Sequence, residues 1–274
     1  MSLRSLALST AGALAARATL RALRGVSHLD RTNFRGHTVS LAAGPALAIG
    51  AATSAAAGAG SLPRAGAALV AGLGSGAVGF YDDVVGGRPE HKAKGFTGHL
   101  GALREGRVTS GLIKIAGVGA AALAASALLA ADGPRRGRLG TVVDVALGAG
   151  VIAGTANLFN LLDLRPGRAI KAGTIVAAPL ASGPVGGLVA GPVGAAAGIL
   201  PDDLGERVML GDAGANALGA LLGVGLAARS GRVGRAVLLA GLAGLTAASE
   251  RVSFTQVIQR TPGLREIDAL GRRP

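Results

Sequence analysis

The chain has 274 residues, half of them apolar and only 16% charged, with a formal net charge of +13. Soluble chains carry about a quarter charged residues. One Tyr, five Phe and no Trp leave no stacking platform for bases, so the basic excess does not mark a nucleic-acid binder, and the lack of cysteine excludes disulfides and thiolate metal sites.

The charges are gathered into short blocks between apolar stretches of roughly 17–25 residues, the length that crosses a bilayer. The pattern predicts an all-α fold, a polytopic integral membrane bundle formed as one domain over residues 1–274. It argues against a soluble Ala/Gly-rich helical domain. Residues 3–22 are the first apolar stretch, interrupted by Arg17, and read as a spanning helix rather than a cleaved leader. A polar loop, Arg24 to Thr38, separates them from spans predicted at 39–60 and 62–81. The second of these ends on Asp82-Asp83, and 82–110 is the longest polar segment, with Arg88, Lys92, Lys94, Arg104 and Arg107.

Further spans are expected at 111–131 and 139–159, followed by the polar stretch Asn160–Lys171. The apolar region 172–200 contains Pro179, Pro184 and Pro192 and reads as two short spans or one kinked pair. Spans at 209–228 and 232–249 lead to a polar tail, 250–274, with one amphipathic helix. That makes about nine spans. An outside N-terminus puts nineteen of the 28 lysines and arginines in the inner loops and tail, which favours the N-out, C-in orientation. Arg135, Arg136 and Arg138 are the main exceptions. Of the acidic residues, all but Asp132 and Asp144 fall on or beside the inner side.

Glycines recur four apart, as in Gly72/Gly76 and Gly219/Gly223, a spacing that lets membrane helices approach closely. The run Gly74-Ser75-Gly76-Ala77-Val78-Gly79 has the dinucleotide-fingerprint spacing, but lies inside a predicted span with no strand before it, so packing explains it better. Three acidic clusters reach span ends on the inner side: Asp82-Asp83, then Asn157, Asn160 and Asp163, then Gly211-Asp212-Ala213-Gly214. Lys114 stands alone at the start of a span. The three-residue intervals of Asn157, Asn160 and Asp163 place two amides and a carboxylate on one helix face. Oxygen ligands of low charge beside a phosphate suit Mg2+. For each residue a plainer role is also open: interhelical hydrogen bonds for Asn157 and Asn160, pairing of Asp163 with Arg165 or Arg168, and snorkelling for Lys114.

The ordered set DD, N-x-x-N-x-x-D and G-D-x-G-x-x-x-L-G resembles the polyprenyl-phosphate N-acetylhexosamine-1-phosphate transferases, the family of phospho-N-acetylmuramoyl-pentapeptide transferase. The loop Asn33-Phe34-Arg35-Gly36 is similar to that family's first cytoplasmic loop, and the likeness runs from about residue 28 to 260. It implies Mg2+-dependent transfer of a sugar-1-phosphate from a UDP-sugar to a polyprenyl phosphate lipid at the cytoplasmic face of a bacterial plasma membrane, in cell-envelope polymer synthesis. A homodimer is compatible with it. By position, Asp212 and Asn160 would be metal ligands, and Asp82 or Asp83 would orient or deprotonate the acceptor phosphate. Asp163 would contact donor or metal, Lys114 would contact phosphate, and Asn157, Asn33 and Arg35 would bind substrate.

The departures fall on the donor side. Pro166 stands where the family pattern has a second acid, Ala215 replaces a serine, and a histidine motif near the C-terminus is missing. His28, His37, His91 and His99 all lie early in the chain. Two other readings follow: a non-catalytic relative acting as a lipid-phosphate binder or scaffold, and a transporter suggested by the proline-broken spans and Asp144. The halves show no repeat symmetry, against the transporter. The stretch Asp163–Ala169 loosely resembles the CDP-alcohol phosphotransferase signature, but the further acids that signature requires do not follow.

Overall fold

The computed structural model describes residues 2–86, 101, 104, 106, 108–134 and 136–273. Arg88, Lys92, Lys94, Arg107, Arg135, His91 and His99 lie outside these. The described chain is an all-helical bundle with one small ribbon. Helix α1 is Leu3–Ala22, and strands β1 (Asp30–Thr32) and β2 (Thr38–Ser40) pair antiparallel with Asp30 opposite Ser40. Helices α2 (Ala43–Gly58), α3 (Leu62–Val85), α4 (Ser110–Asp132) and α5 (Arg138–Leu162) follow. Then come α6 (Arg168–Ala177), α7 (Gly186–Leu204), α8 (Gly211–Arg229) and α9 (Arg232–Ser249). The tail holds two short helices, α10 (Phe254–Arg260) and α11 (Leu264–Ala269), instead of the single one expected.

Local chemistry sets several of these boundaries. Ser61 and Thr109 accept the backbone N–H three residues on, capping α3 and α4. Pro63 sits in the first turn of α3, where its missing N–H does no harm. The span expected at 39–60 begins later, at Ala43, because Val39 and Ser40 are spent on the ribbon. The region 172–200 resolves into α6, a 3-10 turn at Ala178–Leu180 and α7. Ten residues of α6 rise only about 15 Å, which is half a bilayer core.

The centre of the bundle is α8. Every residue in it is buried except Asp212, Leu226, Ala228 and Arg229, and it packs on α2, α3, α5 and α7. Backbones come close because the contacts are small: Gly219 and Gly223 lie against Thr155, Ala156 and Ile152 of α5, and Gly72 and Gly76 against Ala52 and Ala48 of α2. Helix α9 sits at the rim on α5 and buries only Leu242. Among the described residues three helices, α3, α4 and α5, are long and apolar enough to cross a membrane, or four if α9 and α10 count as one span bent by 95°.

Antiparallel neighbours sort the charges between two ends. The C-terminal ends of α3, α5, α7 and α9 meet the N-terminal ends of α4 and α8, and this end holds the three acidic clusters that the sequence predicts on one side. The opposite end holds Arg64, Asp132, Arg136, Asp144, Arg229, Arg232 and Arg235.

Candidate active site at the head of helix α8

Helix α8 starts at Gly211 without a side-chain cap of its own. Neighbouring helices supply one. Asp83, in the last turn of α3, accepts the N–H of Asp212 through Oδ1 and that of Ala213 through Oδ2, both at 2.9 Å. Asp163, just past the end of α5, accepts the N–H of Gly211. Two carboxylates therefore satisfy three amides that a helix start leaves without partners, and lie at the positive end of its dipole. Gly211 has φ +58, a left-handed conformation that a side chain would strain. A Cβ on Gly79 would lie 2.3 Å from the Asp212 carbonyl oxygen, so only glycine lets α3 reach this point. Arg31 in β1 donates to the Asp83 carbonyl at 3.1 Å, tying the ribbon to the same corner.

Asp82, next to Asp83, points elsewhere. Its Oδ2 lies 2.8 Å from the Lys114 Nζ, and the same ammonium pairs with Asp212. One lysine thus bridges two carboxylates from α3 and α8, all three side chains being 14–26% exposed. Asn216, one turn along α8, donates to the Asp212 carbonyl at 2.7 Å and holds the first turn in shape.

A cavity of about 210 Å3 opens on the other side of Asp163. The first loop forms one wall with Asn33 and Phe34, the 163–166 segment another, and Asp203 and Glu206 a third. Asn33 donates to Glu206 at 2.8 Å, and its carbonyl oxygen accepts the N–H groups of Arg35 and His37 in an Asx turn. Arg35 lies 3.3 Å from Glu206, and the Arg165 guanidinium stands 4.2 Å from the Phe34 ring centroid. The loop is anchored by Ser40, which exchanges hydrogen bonds with Arg207 and Met209 just ahead of α8. Burial pushes the Asp163 carboxyl well above the usual range, and the charges of Asp203, Asp212 and Asp83 add to it. Asp203, just beyond the apolar part of α7, is pushed up to about 6 by burial, although the Gly167 N–H donates to it at 2.7 Å.

The predicted residues thus divide into two neighbouring groups joined by Asp163 and the head of α8. Asp82, Asp83, Lys114, Asp212 and Asp163 gather there, whereas Asn33 and Arg35 lie in the cavity wall with Glu206. Asn157 is elsewhere: it is exposed and donates to Thr246 of α9 at 3.1 Å, the interhelical role. Asn160 is half-buried one turn before Asp163, whereas the partner of Asp212 is Lys114. The suggested pairing of Asp163 with Arg165 or Arg168 does not occur. Arg168 is buried and makes a two-point contact with Asp268 of the tail, at 2.8 and 3.1 Å. Against the cost of burying it, the Arg168 and Arg272 hydrogen bonds hold the Asp268 carboxyl down at about 2. Asp203, Glu206, Arg31 and Asp268 were not singled out from sequence, since nothing in their spacing marks them.

No three acidic or histidine side chains converge on one point among the described residues. Mg2+, however, takes only one or two carboxylates and keeps water and substrate phosphate for the rest. Asp82 and Asp212, which already share one cation, fit that requirement. Neither protein-family models nor curated proteins give a match to this chain.

Proposed function

We propose that this chain transfers a sugar-1-phosphate from a nucleotide sugar, a UDP-sugar, to a polyprenyl phosphate. The observation that carries the reading is the Lys114 ammonium held between Asp82 and Asp212 at the head of the most enclosed helix. Ionisable groups in such a position are costly and mark function. In the reaction an oxygen of the lipid phosphate attacks the sugar-bearing phosphorus of the donor. A new P–O bond forms, the bond to the nucleotide breaks, and UMP leaves with the electron pair.

Lys114 contacts phosphate and offsets the charge that accumulates there. Asp82 is the acid suited to orient the acceptor phosphate or take its proton, because both oxygens of Asp83 are engaged by backbone. Asp83 and Asp163 act as positioning residues for Asp212. Bound Mg2+ would be held by Asp82 and Asp212 and would neutralise phosphate charge. The cavity beside Asp163, with Asn33, Arg35 and Arg165 on its walls, suits the donor. In the membrane we assign about nine crossings with the N-terminus out and the α8 head facing the cytoplasm, since the inner side then carries most of the basic residues.

A second reading has support from the same corner. Asp83 and Asp163 complete a helix cap, which a non-catalytic lipid-phosphate binder would also need. The deciding experiment incubates purified protein with undecaprenyl phosphate and a panel of UDP-sugars, and measures UMP release with and without Mg2+. Turnover that is lost in Asp212→Ala is expected. If no donor gives turnover and Asp212→Ala has no effect in cells, the transferase reading is overturned.

A further inference from the structure

The end of the bundle opposite Asp82 has its own concentration of charge. A cavity of about 350 Å3 lies where α3 begins, α4 ends, α5 begins and α8 turns into α9. Arg64, Arg136, Arg229, Arg232 and Arg235 line it with Asp132 and Asp144, so three positive charges are left over.

The guanidiniums are not loose. Arg232 grips Asp144 at 2.6 and 3.2 Å and the Gly140 carbonyl at 2.6 Å. Arg136 meets Asp144 at 3.0 Å, and Arg64 meets Asp132 at 2.6 Å. Arg235 is half-buried, and its hydrogen bonds run to two neutral carbonyls, those of Ala227 and Asp144. Each guanidinium has five donors in a planar fork, so several N–H groups stay available while the planar groups are held in place. The glycine-capped starts of α5 and α9, at Gly137 and Gly231, offer no side-chain acceptor of their own, which adds to the positive field.

We propose that this cavity binds a phosphate group, the chemistry shared by inorganic phosphate and an anionic phospholipid headgroup. Arginine forks match phosphate oxygens two at a time. A bound anion also accounts for a basic cluster on the side of the membrane where the topology rule disfavours one. The site is distinct from the head of α8: α3 alone separates Arg64 from Asp83 by about 28 Å along its axis.

The test uses the full chain in phosphatidylcholine nanodiscs, titrated either with a rising fraction of phosphatidylglycerol or with inorganic phosphate, and reads the thermal unfolding midpoint. The midpoint is expected to rise in a manner weakened by salt. Arg136→Gln and Arg229→Gln are each expected to weaken the apparent affinity about tenfold, whereas Arg251→Gln at the other end leaves it unchanged. Arg229 makes one long contact, 3.5 Å to Ser182, so its replacement spares the fold. A rise with phosphatidylglycerol alone assigns the site to a headgroup, and a rise with phosphate assigns it to the free anion. No rise with either, or the same rise in both glutamine variants as in the unaltered chain, overturns the proposal.

Discussion

Asp82 and Asp83 look alike in the sequence but do different work, because consecutive helical residues point about 100° apart. One faces Lys114 on α4, the other the first amides of α8. The sequence marks the pair as a candidate but not which member faces Lys114 and which the backbone of α8, since that depends on helix rotation. Replacing Lys114 by Met leaves Asp82 and Asp212 facing each other without a cation. The expected loss is about 1–3 kcal/mol, less than for a fully buried pair because all three side chains see some solvent. Denaturation of purified K114M measures it, and activity should vanish with it. Asp203 gives a pH signature. Its folded value of about 6 exceeds the ordinary carboxylate value, so its burial opposes folding above pH 6 and that penalty disappears as pH falls from 6 towards 4. Asp203→Asn keeps an oxygen for the Gly167 N–H and should flatten stability across this window. A slope as steep as in the unaltered chain would count against the burial argument.

At the level of the helices, most positions were legible because the apolar blocks are long and the charges mark their ends. The boundaries at 39–42 and 172–200 were not. A three-residue strand and a 3-10 turn carry no periodic pattern long enough to read, and proline only says where a helix is disturbed. Glycine roles were half legible. The four-residue spacing indicates close packing, but not which glycine meets backbone. Gly79→Ala would drive a methyl into the Asp212 carbonyl, part α3 from α8 and cost about 1–3 kcal/mol. Gly119→Ala in α4, which has open space around it, should be neutral or gain a few tenths of a kcal/mol. Equal unfolding midpoints for the two variants would remove the packing argument for Gly79.

For the whole molecule, the assignment of two faces rests on antiparallel helices that carry most of the acids, and most of the lysines and arginines with them, to one end and a smaller arginine cluster with Asp132 and Asp144 to the other. The chain has no cysteine, so single cysteines report without background. Ser253→Cys in the tail and Ser182→Cys before α7, both exposed, should react with an impermeant thiol reagent from opposite sides of sealed vesicles. Labelling from the same side would reject the proposed orientation. The long helices were readable as blocks of composition, whereas the folding of the tail back onto Arg168 was not, since it pairs residues 100 positions apart.

The enclosure of α8 has a consequence for how the protein is made. Chains emerge N-terminus first, yet the helix that fills the centre comes after α1–α7. Until residue 212 is synthesised, Lys114 lacks the second of its two carboxylates, and the small faces that α2, α3 and α5 turn towards α8 lack that partner. The contacts of α8 with α2, α3, α5 and α7 can therefore form only after those helices have been made. A nascent chain arrested before Gly211 should be far more open to proteases and lipid-borne crosslinkers than one released a few dozen residues later.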